Sequence, residues 1–133
     1  MSPSSREELV ERARQAREFA CARYSGFKVG AALLETEGRI FTGVNVESSS
    51  YGLTCCAERS ALFSALSAGA RRFLAIAVVT DTPRLTPPCG ACRQVLWDYC
   101  GDVEIILANL AGRRELHSLA GLLPRPFDEE NLR

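Results

Sequence analysis

Four residues constrain this chain more than any others: Cys56 and Glu58 in a C-x-E arrangement, and Cys89 and Cys92 in P-C-x-x-C behind Pro88. Three thiolates can share one metal ion only if the fold brings two distant segments to a single point. Zinc prefers four ligands, so three protein sulfurs leave one position for water. A carboxylate beside that water can move its protons. The pattern therefore predicts hydrolytic chemistry at a Zn²⁺ site, with Cys56, Cys89 and Cys92 as metal ligands and Glu58 as the proton carrier.

Composition narrows the substrate. The chain has 133 residues, enough for one domain (1–133) with a real core, and 47% of them are apolar. Its net charge is zero and neither end carries a basic run. A protein that tracks a nucleic-acid backbone needs such a surface, so a small molecule is expected instead. No stretch approaches the ~18 apolar residues of a membrane span, and Met1–Arg6 lacks the apolar core of a secretion signal. A cytoplasmic location follows as an expectation. There, six cysteines read as reduced thiols and metal ligands, not a disulfide framework. His117 is the sole histidine, so a zinc site must rely on sulfur.

Ser5 and Glu8 form a capping-box pattern, and Leu9, Val10, Ala13, Ala16, Phe19 and Ala20 follow helical spacing. This predicts a first helix ending near Tyr24-Ser25-Gly26. Phe27–Leu34 and Arg39–Val46 read as a hairpin turning at Glu37-Gly38. A serine- and glycine-rich loop then leads to a helix from Cys55 or Cys56 to Ala68. Phe73–Thr80 has the composition of a buried strand, and Pro88 suits the first turn of a helix running to about Tyr99. Val103–Ala108, Arg113–Leu116 and a last helical turn over Ser118–Leu123 complete the pattern. Strands alternating with helices predict an α/β sheet covered on both faces.

Each metal cysteine falls at or just before a helix start, where unpaired N–H groups and the helix dipole favour thiolate over thiol. Three thiolates and Zn²⁺ sum to a charge of minus one. Arg59 and Arg93 each follow a ligand motif, and a guanidinium donating to a thiolate would offset that charge. Taken alone, C-x-x-C also fits a redox pair or half a zinc ribbon. A structural site would need a fourth ligand from Cys21, Cys55, Cys100 or His117, none of which completes a second ligand pair. Cys55 adjoins Cys56, and only Cys56 keeps the C-x-E spacing. Cys21, Cys55 and Cys100 are expected to be small buried apolar groups.

Cys56-Ala57-Glu58-Arg59 with Pro88-Cys89-Gly90-Ala91-Cys92-Arg93-Gln94 resembles the cytidine deaminases, in their small all-cysteine form. The resemblance runs from Tyr24-Ser25-Gly26-Phe27 and Val29-Gly30-Ala31-Ala32 to Leu122-Leu123-Pro124. It implies a three-layer α/β/α sandwich around a mixed five-stranded sheet, a homotetramer, and hydrolysis of cytidine or deoxycytidine to the uracil nucleoside and ammonia. Glu58 is then implied to take a proton from the attacking water and deliver protons to ring N3 and the departing amine. The main chain at Ala57 would meet the base edge. Asn45 and Glu47 would bind the ribose hydroxyls, and two residues apart at a strand end they share a side. Phe27 would stack on the pyrimidine. Phe127 would be lent to a neighbouring subunit's site, and Tyr51 either reaches across an interface or is an ordinary loop residue. Ser48 stands where the family usually has asparagine, which changes the hydrogen bonding of that loop.

Two other readings remain. One is deamination of a modified cytosine nucleoside such as blasticidin S, against which Glu47 argues. The other is a structural zinc module without catalysis.

Overall fold

A computed structural model describes residues 1–133. The chain runs α1 (Pro3–Arg17), β1 (Val29–Glu35), β2 (Ile40–Val44), α2 (Ala57–Ser67), β3 (Phe73–Thr80), α3 (Gly90–Cys100), β4 (Glu104–Asn109), β5 (Arg114–Ser118) and α4 (Leu119–Leu122). Short 3₁₀ turns occupy Tyr51–Leu53 and Glu129–Leu132. No helix is long and apolar enough to cross a membrane.

The five strands form one sheet in the order β2-β1-β3-β4-β5. β1 is antiparallel to both β2 and β3, β3 and β4 are parallel, and β4 and β5 are antiparallel. A parallel pair cannot be joined by a tight turn, and α3 makes the crossover. Alternation along the strands then divides the core in two. Ala31, Leu33, Ile76, Val78, Ile105 and Leu107 pack with Ala61 and Leu62 of α2 and Leu96 of α3. Ala32, Ala75, Ala77, Val79, Ile106 and Ala108 pack with Leu9, Val10 and Ala13 of α1. The result is the expected α/β/α sandwich with a mixed sheet.

Two glycines set how closely helices approach the sheet. A Cβ on Gly30 would lie 2.1 Å from the Ala13 carbonyl oxygen of α1, and one on Gly43 would lie 2.3 Å from the Ala61 nitrogen of α2. Both neighbours are backbone and cannot swing aside. Gly43 thus fixes the height of α2, the helix that carries Glu58.

The first helix differs from expectation at both ends. Its N-cap is Ser2, whose hydroxyl accepts from the Ser5 N–H at 3.1 Å, and Pro3 opens the first turn. The Ser5–Glu8 box is therefore not the cap. The helix stops at Arg17 because the next residues enter the sheet region: Cys21 N–H donates to the Asn45 carbonyl at 2.9 Å and Glu47 N–H to the Cys21 carbonyl at 3.0 Å. Phe19, expected on the helix's apolar face, is 79% exposed. Pro88 likewise precedes the N-cap of α3 and is not in its first turn.

Candidate active site

Cys56 is the N-cap residue of α2 and Cys89 the N-cap residue of α3. Neither sulfur caps its own helix, so both are free to turn toward each other. Cys92, the third residue of α3, reaches back one turn. Cys56 Sγ and Cys89 Sγ are 3.8 Å apart, Cys89 Sγ and Cys92 Sγ 3.5 Å, and all three lie within 4.8 Å of one another. Tetrahedral zinc with bonds of about 2.3 Å needs sulfurs roughly 3.8 Å apart. The three cysteines thus fit the metal. Cys55 does not join them, as its sulfur lies 3.8 Å from the Ser60 hydroxyl.

The sulfurs are electrostatically unequal. A hydrogen bond with the Cys92 thiol, aided by Arg59, holds Cys56 below the ordinary thiol range against the opposing effect of burial. The same bond, together with burial, drives Cys92 far above the usual thiol range. Arg59 Nη2 donates to Cys56 Sγ at 3.5 Å, as expected. Arg93, expected to do the same, does not: its guanidinium donates to the Pro88 and Leu122 carbonyls. The reason is position along the helix. Arg59 is the third helical residue and reaches back to its N-cap, as the acid of a capping box does, whereas on α3 that third position is already taken by Cys92.

Glu58 is 5% exposed. Burial pushes its carboxyl up to about 7; the nearby Cys56 thiolate adds to the shift, while its own backbone N–H and Arg59 oppose it. Such a group can both accept and release a proton near neutral pH. It opens into a cavity of about 230 Å³ that is also lined by Phe27, Asn45, Glu47, Cys56, Ala57 and Cys89. Six of the residues singled out in the sequence besides Glu58 therefore share one space.

Asn45 is buried and ties that space to β1: its Oδ1 accepts from Val29 N–H at 2.9 Å and its Nδ2 donates to the Phe27 carbonyl at 2.7 Å. Glu47 accepts from the backbone N–H groups of Tyr24 and Ser25, each at 3.0 Å, and from the Ser25 hydroxyl. Ser48 braces its loop, with its N–H on Thr54 Oγ1 at 3.0 Å and its hydroxyl accepting from Ser50 N–H at 3.1 Å. An adjoining hollow of about 380 Å³ contains Tyr51 and shares Glu47 and Thr54 with the site. Phe127 stands elsewhere, in a cleft with Trp97 and Tyr99.

Val29, Thr54, Val78, Thr86 and Pro87 also line the site and escaped the sequence reading. Thr86-Pro87 directly precedes Pro88-Cys89, so a rigid wall beside the ligand loop was readable there. Val78 is one apolar residue in a buried strand, and nothing local distinguishes it. The three remaining cysteines are more open than expected, with Cys21 exposed and Cys55 and Cys100 half-buried. Burial pushes Cys100 up to about 12.

Comparison with known proteins agrees with this geometry. The cytidine deaminase of Halalkalibacterium halodurans is 51% identical over 128 residues, covering 96% of this chain and 97% of its own. The crystal structure of cytidine deaminase from Burkholderia pseudomallei superposes with a TM-score of 0.89 at 50% identity, covering 96% and 100% of the two chains. That from Mycobacterium tuberculosis gives 0.79 at 40% identity, covering 91% and 95%. The family model for the cytidine and deoxycytidylate deaminase zinc-binding region matches residues 3–108, and the chain belongs to that family.

Proposed function

We propose that this protein hydrolyses cytidine and deoxycytidine to uridine and deoxyuridine with release of ammonia, as a step of pyrimidine salvage in the cytoplasm. The observation that carries this reading is the buried Glu58 beside three converging sulfurs, in a cavity that extends to Asn45 and Glu47. Cys56, Cys89 and Cys92 hold the zinc, which when bound supplies the Lewis acidity that makes water nucleophilic near neutral pH.

The chain's own residues handle the rest. Water oxygen adds to C4 and the C4–N4 bond breaks. Glu58 carries one water proton to N3 and the other to the departing amine, so the products are the N3–H, C4-oxo ring and ammonia. Burial suits Glu58 to this shuttle, because a carboxyl pushed up to about 7 gives up a proton about as readily as it takes one. Main chain at Ala57 meets the base edge, and Phe27 stacks on the ring. Asn45 and Glu47 grip the sugar. Glu47 and Asn45 already accept hydrogen bonds from the backbone, and each carries further lone pairs for a ligand.

A structural zinc module is disfavoured, since no fourth protein ligand joins the three sulfurs. The homotetramer is supported by exposed aromatics: Tyr51 is 81% and Phe127 57% exposed, and Phe127 lies outside its own chain's cavity. Light scattering tests the assembly, and a monomer active at full rate would overturn it. The activity itself is tested by the absorbance loss as cytidine becomes uridine. Wild type is expected to turn over cytidine, and Glu58→Gln to stay folded and zinc-loaded with activity about 10²–10⁴-fold lower. Full activity in that variant would refute the proton shuttle.

A further inference from the structure

Arg93 directly follows the ligand Cys92, yet its guanidinium turns away from the sulfurs. Nε donates to the Pro88 carbonyl at 2.7 Å and Nη1 to the Leu122 carbonyl at 2.8 Å. Its backbone N–H donates to the Cys89 carbonyl at 2.9 Å. One residue therefore holds both carbonyls that flank the Cys89 α-carbon, and with them the two peptide planes that aim Cys89 Sγ. The next residue, Gln94, donates from Nε2 to the Phe127 carbonyl at 2.6 Å. Two consecutive side chains of the metal-binding helix thus grip the C-terminal segment on either side of Pro124 and Pro126.

This attachment falls where the site is least restrained. Cys92 is buried and Cys56 has Arg59, but Cys89 is exposed and sits at the end of a proline-rich loop. Its sulfur receives no hydrogen bond from any arginine, so beyond the two neighbouring sulfurs only its backbone sets its direction. The preceding carbonyl, that of Pro88, lies outside the helix ladder and takes its hydrogen bond from Arg93 Nε. Charge-assisted bonds of this kind are about twice as strong as neutral ones, and a planar guanidinium bridges two acceptors that an ammonium cannot serve with the same geometry.

We propose that Arg93 is a positioning residue: it locks the Cys89 backbone against the C-terminal segment, so that the metal loop and the tail hold each other in place. It touches no reacting atom, and it rests on the reading of Cys89 as a zinc ligand. Loosening either partner should loosen the other. The tail then contributes to zinc retention although none of its residues reaches the sulfurs.

The test compares zinc-loaded wild type with Arg93→Gln, Arg93→Lys and Arg125→Gln, an arginine of the same tail without such contacts. Zinc release to a chromogenic chelator and amide hydrogen exchange over residues 119–127 are followed in each. Arg93→Gln is expected to release zinc 10–100-fold faster and to expose the Leu123 amide, which donates to the Leu119 carbonyl at 2.8 Å. Arg93→Lys should lose most of the same protection, because the stem and charge remain but the bridge does not. If the glutamine variant fails to fold, the lysine variant carries the comparison. Arg125→Gln should match wild type in both readouts. Wild-type zinc release in the Arg93 variants, or fast release with a fully protected tail, would overturn the proposal. Neither readout involves turnover, so a wild type inert toward cytidine would count against the deaminase reading and leave this one standing.

Discussion

Arg59 Nη2 lies 3.5 Å from Cys56 Sγ, joining the third residue of α2 to that helix's own N-cap. The bond to the Cys56 thiolate raises the guanidinium still further above its ordinary range, and Nε is buried with no hydrogen-bond partner. A cation is therefore held partly desolvated beside a site whose sulfurs and zinc together carry excess negative charge. Arg59→Ala should weaken zinc binding by about 10–100-fold, measured by competition with a chelator of known affinity. Unchanged affinity would mean that the guanidinium leaves the thiolates' charge untouched.

The ligand register can be tested by a pair of neighbours. Cys55 Sγ lies near the Ser60 hydroxyl while Cys56 Sγ faces Cys89. Cys55→Ser is expected to bind zinc as wild type does, and Cys56→Ser to lose it. Metal content after gel filtration distinguishes the two, and the reverse outcome would shift the register by one residue.

Gly43 couples the sheet to the reaction centre through bare backbone. Its added Cβ would meet the Ala61 nitrogen at 2.3 Å and the Ala57 carbonyl oxygen at 2.5 Å. Gly43→Ala should therefore cost about 1–3 kcal/mol, the usual range for overpacking, read as a lower urea midpoint. The strain falls on the first turns of α2, so activity toward cytidine should fall as well. A variant as stable as wild type would show that α2 can rise from the sheet without penalty.

Glu47 provides a pH test away from the sulfurs. Hydrogen bonds from the Ser25 hydroxyl and the Ser25 and Tyr24 N–H groups hold its carboxyl below the ordinary 4.5. A carboxyl depressed in the folded state contributes stability above its unfolded value, and that contribution fades as pH falls through the lower folded value. Carbon-detected titration of Glu47 should give a midpoint below 4.5, and Ser25→Ala should move it upward. A midpoint at or above the ordinary value would mean the three donors are not engaged in solution.

The elements that could be read from sequence are those decided locally. β3 matches its expected span of Phe73–Thr80 because an apolar run closed by β-branched residues reads as a buried strand without help from its partners. α2 begins beside Cys56 as the spacing required. α1 departs from expectation at both ends because Ser2, ahead of Pro3, and not Ser5 supplies the cap, and because its last expected turn instead supplies Cys21 to a backbone bridge with the segment around Val46. No pattern within that helix announces a partner more than twenty residues away.

The site divides along the same line. C-x-E and P-C-x-x-C by themselves pointed to the side chains we assign to metal and proton chemistry, since few residue types can do either. The hairpin residues Asn45 and Glu47 were identified by resemblance, and only the folded chain brings them to the cavity that holds Glu58. The Arg59 contact with a sulfur was legible from its place after the ligand motif, but only tertiary structure decided that Arg93 serves two carbonyls instead, because helix phase and the return path of the tail set what its guanidinium can reach. Residue identity fixed the available chemistry; geometry assigned its partners.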